Sequence, residues 1–265
     1  MSSSSIYCSQ WRESSSRPDD PPLSSLGLKQ ATETGAYLDS ILSNKGVHAD
    51  DIYWMSSPFL RCLQTSHAAI DAFKSLDGDL SEIKILIEDS IFEWDGHNGI
   101  FHKSLPTNIE ERRHYFPRLD TQYKSMFVPQ LPEPREQFHG RCQQVGTAIH
   151  KRYPYRPKTA IVAVTHAAGC IGLAAALTNL TIADITPAAP CSIYKLTRTS
   201  STSTWSIDAH DIENSMNGFT DHISDMGKST VPWNNFADKK YFHGYSGPAT
   251  SRFAPAGYIV RKDEL

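Results

Sequence analysis

Ala160-Ile161-Val162-Ala163-Val164 carries no polar side chain. A strand so uniformly apolar belongs in the middle of a parallel sheet that is covered on both faces. It is followed at once by Thr165-His166 and by a helical stretch from Ala167 to Leu177. The same order recurs upstream, where Ile52-Tyr53-Trp54-Met55 reads as a short buried strand and Leu60 to Phe73 as the helix after it. Ile83 to Ile87 adds another strand. Such alternation predicts an α/β chain, a three-layer sandwich with a mostly parallel central sheet and helices on both faces.

Other segments fit this frame. Ser2 to Cys8 reads as a short first strand, and the loop from Glu13 to Pro22 is too rich in Ser and Pro to hold an element. Ser24 or Ser25 caps a helix whose apolar positions Leu28, Ala31, Gly35, Leu38 and Leu42 recur at helical spacing, and Gly46 ends it. Glu136 to Tyr153 is expected to be a helix. Strands are expected near Ser192 to Thr197 and Thr204 to Ala209, joined by the polar turn Ser200-Ser201-Thr202-Ser203. From Asp95 to Gln137 periodicity fails while Phe101, Tyr115, Phe116, Tyr123 and Phe127 persist, which predicts a partly helical, lid-like insertion. The tail 237–265, with Tyr241, Phe242, Tyr245, Phe253 and Tyr258, is expected to pack on the domain. No repeat or linker divides the sequence, so 1–265 is read as a single domain.

Composition narrows the function classes. With 265 residues, 39% of them hydrophobic and 21% charged, the chain has apolar mass for a sizeable core. A net charge of -3 offers no basic field to hold nucleic acid by counterion release. Cys8, Cys62, Cys142, Cys170 and Cys191 have the spacing of neither a disulfide framework nor a zinc site, and they read as buried thiols. No metal and no cofactor is expected. No apolar run is long enough to cross a bilayer, and Met1-Ser2-Ser3-Ser4-Ser5 lacks the core of a signal peptide. Lys262-Asp263-Glu264-Leu265 has the form of an ER-retention address, but nothing in the sequence sends the chain into the lumen, so the expected location is the cytoplasm.

Three short segments carry chemistry. Ser57-Pro58-Phe59-Leu60-Arg61-Cys62 follows a strand and opens a helix, placing Arg61 in the first turn, where backbone N–H groups face an anion. Val164-Thr165-His166-Ala167-Ala168 is a second such junction and puts His166 at the C-terminal end of a strand, where ligands of open α/β sheets collect. Ile91-Phe92-Glu93-Trp94 places a carboxylate among apolar neighbours, where desolvation would raise its pKa into a proton-donor range. Taken singly, each has a structural explanation: a surface ion pair, a helix-start histidine, a solvated loop acid. Their occurrence together at three strand ends singles them out.

In this order the segments resemble the histidine phosphatase superfamily, and most closely the phosphatase domain of fungal tau-type subunits of a transcription factor. The likeness runs from Ile6 through Pro21-Pro22-Leu23-Ser24-Ser25-Leu26-Gly27 and the three segments above, toward Met216-Asn217-Gly218 and Trp233-Asn234-Asn235-Phe236. The resemblance implies a strand at Ile6-Tyr7-Cys8-Ser9 followed by the family's Arg-His-Gly, whose histidine takes the phosphoryl group. Here the next residues are Gln10-Trp11-Arg12. Gln10 would replace a phosphate-binding arginine, Trp11 the nucleophile and Arg12 the glycine. Arg61, Glu93 and His166 stand where the resemblance puts the second arginine, the acid and the second histidine.

An indole N–H only donates, so Trp11 cannot serve as a phosphohistidine nucleophile. Losing even one charge-assisted contact to a dianion costs about 1.5–3 kcal/mol. The expected activity is therefore cofactor-free acid–base chemistry, an isomerisation, cyclisation or elimination, on a largely neutral small molecule. His166, Glu93 and Arg61 would be catalytic, and Trp11, Gln10, Arg12 and Ser57 would bind the substrate. A catalytically silent pseudophosphatase that acts as a binding module, and a phosphatase with a shifted mechanism, are the alternatives. No nucleic-acid or membrane partner is expected.

Overall fold

A computed structural model describes residues 20–94, 109–131, 133–182, 185, 188–207 and 220–226. The expected first strand, Gln10-Trp11-Arg12 and the tail 237–265 lie outside them. Helix α1 (Ser25–Asn44) begins at Ser24, whose Oγ accepts the Gly27 N–H at 3.1 Å. It ends at Gly46, whose φ of +64° suits a residue without a side chain. Strand β1 (Ile52–Ser56) leads into α2 (Leu60–Asp71), and β2 (Ile85–Ile87) follows. After α3 (Ile109–Tyr115) and α4 (Arg135–Arg152) come β3 (Ala160–Val164) and α5 (Ala167–Thr178). The short β4 (Leu196–Thr197) and β5 (Ser206–Ile207) form a separate antiparallel pair.

The main sheet is parallel in the order β2-β1-β3, with Trp54 opposite both Ile85 and Val162. Side-chain alternation divides it between two helical layers. Ile52 and Trp54 join Ile85, Ala160, Val162 and Val164 in a core against α1 and α2, built from Leu42, Leu63, Ala69, Ile70 and Phe73. Tyr53 and Met55 join Ile161, Ala163 and Leu86 against α4 and α5, with Val145, Ile149, Leu173 and Leu177. Helices therefore cover both faces, and the expected three-layer sandwich is what forms.

Two local expectations are corrected. The central strand among the described ones is β1, and the apolar run Ala160–Val164 flanks it with half-buried side chains. Leu28, placed on the core face of α1, is 40% exposed, because α2 meets that helix farther along, at Gly35. Within the strands expected near Ser192–Thr197 and Thr204–Ala209, the described residues form the antiparallel pair β4 and β5, apart from the main sheet; Asp208 and Ala209 lie outside the described residues.

The segment read as a lid is helical at α3, but its described part lies along the edge of the sheet. Phe116 and Leu119 enter the core, Leu119 bridges Ile85, and the N–H of Ile85 donates to the Arg118 carbonyl at 2.8 Å. Tyr123 donates to the buried Glu88 carboxylate at 2.6 Å, and that carboxylate also accepts the Ser90 and Met126 N–H groups. Arg112 of α3 pairs with buried Asp20 at 2.5 Å.

Gly35 sits where α1 and α2 touch. A Cβ there would lie 2.2 Å from the Ala69 carbonyl oxygen and 2.5 Å from its Cα, and backbone cannot yield as a flexible side chain can. Alanine would improve helix propensity by about 1 kcal/mol. Forcing the helices apart costs about 1–3 kcal/mol or more, so the clash should dominate. Gly35→Ala is expected to lower the urea midpoint; an unchanged or higher midpoint would mean the helices do not cross at this residue.

Candidate active site

The parallel register of β1 and β3 puts two chain segments side by side where both strands end. Ser57 leaves β1 with its N–H donating to the Val164 carbonyl at 2.9 Å, and His166 follows β3 two residues later. Their side chains meet: Ser57 Oγ lies 2.8 Å from His166 Nε2. Arg61, in the first turn of α2, brings Nη2 to 3.1 Å from His166 Nδ1. Glu93, past the short 3-10 turn Asp89–Ile91, brings Oε2 to 3.1 Å from the same nitrogen and 3.4 Å from Arg61 Nη2. Four of the residues singled out in the sequence thus form one cluster. Gln10, Trp11 and Arg12 lie outside the described residues.

Each member is held from behind. The His166 ring stands edge-on to Phe59, centroids 5.1 Å apart at 89°, and the Arg61 guanidinium lies 4.3 Å over the face of the same Phe59 ring. Glu93 is positioned through its backbone. Arg141 Nη1 donates to the Ser90 and Phe92 carbonyls, both at 2.9 Å, and its Nε and Nη2 each reach Glu133 at 2.6 Å. Thr165 Oγ1 donates to the Ile91 carbonyl at 2.7 Å, tying the exit of β3 to this segment.

Exposure divides the cluster into a front and a back. The Arg61 and Glu93 side chains are 26% and 28% exposed. That of His166 is 3% exposed, and Ser57 is fully buried. Ser57, expected to bind substrate, is buried with its hydroxyl on His166 Nε2. Glu93, expected to be a desolvated acid among apolar neighbours, is 28% exposed and stands 3.4 Å from Arg61.

Burial lowers the pKa of His166 below its usual 6.5, outweighing the nearby Glu93 charge, while Arg61 pushes the same way as burial. Burial also pushes the Cys62 thiol up to about 12, so the sulfur 3.6 Å from His166 Nε2 keeps its proton. The first N–H of α2 does not face open solvent: Leu60 N–H donates to Asp20 Oδ1 at 2.6 Å. An internal carboxylate therefore already occupies part of the helix terminus that the sequence offered to an anion.

A model of the histidine phosphatase superfamily (branch 1) matches residues 9–210. The chain belongs to that superfamily. The segments carrying Arg61, Glu93 and His166 all fall within the match. Among curated proteins, this histidine phosphatase domain is 34% identical to human ubiquitin-associated and SH3 domain-containing protein A over 123 residues, 45% of this chain and 17% of that protein. The mouse protein of the same name is 42% identical over 77 residues, 29% of this chain and 11% of that protein. The chain thus matches less than a fifth of the length of these relatives. Among solved structures, the ecdysone phosphate phosphatase from Bombix mori, in complex with tungstate, superposes with a TM-score of 0.48 at 21% identity over 72% of each chain.

Sequence reasoning passed over Phe59, Asp20, Arg141 and Glu133. Phe59 lay in a quoted motif, but only the structure shows its ring serving both Arg61 and His166. Arg141, paired with Glu133, donates to backbone carbonyls of a distant loop, and no spacing pattern carries that information.

Two measurements test this construction. Glu133→Ala leaves Arg141 buried without its carboxylate and should cost about 3–5 kcal/mol in urea denaturation; a loss below about 1 kcal/mol would show that the pair is not sealed from water. The second concerns pH. Because burial lowers the folded pKa of His166 from 6.5, the unfolded chain takes up a proton that the folded chain refuses. Stability is therefore full above about pH 6.5 and falls as pH drops toward the folded pKa. His166→Gln should flatten this part of a plot of Tm against pH. It will not abolish the slope, since burial lowers His150 and His222 as well. An equally steep profile in the variant would mean that folding leaves the His166 pKa where the unfolded chain has it.

Proposed function

We propose that this histidine phosphatase domain carries out cofactor-independent acid–base chemistry on a largely neutral organic molecule, and does not transfer phosphoryl groups through a phosphohistidine. The observation that carries the reading is the company of Arg61: a carboxylate oxygen at 3.4 Å and a ring nitrogen of low basicity at 3.1 Å. Among the described residues, a carboxylate stands against the guanidinium charge. A phosphate ester is a dianion and is favoured by unbalanced positive charge, whereas a cation already facing a carboxylate suits a polar but uncharged group.

The N-terminal residues support the same reading. The family match starts at Ser9, so Gln10-Trp11-Arg12 stand at its beginning, where the resemblance puts an arginine, the nucleophilic histidine and a glycine. Indole has no nitrogen lone pair able to attack phosphorus. Within the superfamily, the motifs favour kinship with the phosphatase domain of fungal tau-type subunits. In this reading Glu93 and His166 exchange protons with the ligand, Arg61 polarises its carbonyl or phenolic oxygen, and Trp11 stacks on it. Gln10 and Arg12 complete the binding surface. The partner is a small molecule in the cytoplasm, and neither nucleic acid nor membrane.

A silent binding module is the second reading, and the near-complete burial of His166 favours it. Two assays separate the possibilities. The wild-type protein should leave aryl phosphates intact; turnover at about 1 s⁻¹ or more, abolished in His166→Ala, would restore the phosphatase. In D2O, a panel of carbonyl and phenolic compounds screened by NMR should contain ligands that gain deuterium with wild type and not with Glu93→Gln. Ligands that bind but never exchange would establish the binding module.

A further inference from the structure

The two nitrogens of His166 face different environments. Nδ1 looks toward the partly exposed side chains of Arg61 and Glu93, and Nε2 toward the buried Ser57 hydroxyl and the Cys62 thiol. Among the described residues, the partly exposed side of the ring is therefore the Nδ1 side. The two neighbours of Nδ1 make opposite demands. Glu93 as a carboxylate only accepts, so it needs a proton on Nδ1; Arg61 only donates, so it needs a lone pair there. Whichever demand is met, Nε2 takes the complementary state, and its buried partner must serve both.

A hydroxyl can do so. With the proton on Nδ1, Ser57 O–H donates to bare Nε2; with the proton on Nε2, Ser57 Oγ accepts it. The thiol at 3.6 Å is a weak substitute in either role, and burial keeps it protonated. Ser57 is well placed for the task, because its N–H is locked to the Val164 carbonyl and its side chain is shut off from solvent.

We infer that Ser57 is the positioning residue of this site, anchoring His166 through Nε2 in either tautomer and leaving Nδ1 as the nitrogen that exchanges a proton with a ligand. Ser57 acts only through the ring. The inference rests on the acid–base reading for its consequence, since a ring that never exchanges a proton has no use for a partner able to reverse. The charged and titratable groups around the ring are Glu93, Arg61 and Cys62 at contact distance, and Arg141 of α4 farther off. Among them, removal of Ser57 Oγ alters only the Nε2 side.

The test is nitrogen-15 NMR of the full chain with labelled histidine, which needs no substrate. In Ser57→Ala the Nε2 resonance of His166 should move while Nδ1 stays near its wild-type position. The midpoint of the ring's titration should fall by about one unit, since the imidazolium loses its buried acceptor. Ser57→Thr keeps the hydroxyl and should restore both readings, whereas a residue that merely fills space would change Tm and leave them alone. Glu93→Gln should instead move Nδ1. An unchanged Nε2 resonance and midpoint in folded Ser57→Ala would overturn the inference. These readings fail independently of the acid–base proposal: resonances that respond as stated, with no ligand gaining deuterium, would keep the role of Ser57 and defeat that proposal. Silent resonances with exchange intact would do the reverse.

Discussion

The site depends on one hydrogen-bonded register, Ser56 of β1 opposite Val164 of β3, continued by the Ser57 N–H on the Val164 carbonyl. Parallel strands end on the same side, so the helices that follow them, α2 and α5, both start at that edge. Ser57, Arg61 and His166 are thereby gathered without a long-range loop. A slip of one residue would turn Ser57 and His166 toward opposite faces. The buried layers prevent it, because Trp54 and Met55 are committed to different cores and a shift would expose both.

Glu93 reaches the cluster by other means. It lies beyond the short turn after β2, where no regular element fixes the backbone. Buried ionic groups take over there. Arg141, held along one edge by both oxygens of Glu133, grips the carbonyls of Ser90 and Phe92, and Glu88 gathers the N–H groups of Ser90 and Met126 with the Tyr123 hydroxyl. Each of these groups would be costly to bury alone and is tolerated because its partners are complete. The same anchors hold residues 116–126 along β2, which is why the described part of the inserted segment lines the sheet edge.

Much of the architecture was legible because it follows from local chemistry. The Ser24 cap, the Gly46 stop and the order of strands and helices are written in side-chain type and spacing. Leu28 was misread because helical periodicity shows a face and not its neighbour; the neighbour, α2, touches α1 at Gly35.

For the site, the sequence alone determined which side chains have the right chemistry and that Ser57, Arg61 and His166 follow strand ends; these three and Glu93, beyond the turn after β2, all proved to be neighbours. Side-chain type settles what a group is able to donate, accept or bind. Only the tertiary structure decided how those capacities are used. Arg61 is balanced by Glu93, His166 is driven toward neutrality by burial, and Ser57 is turned inward to the ring. Charge balance and desolvation arise from distances between segments far apart in the chain, and a linear pattern carries no distances.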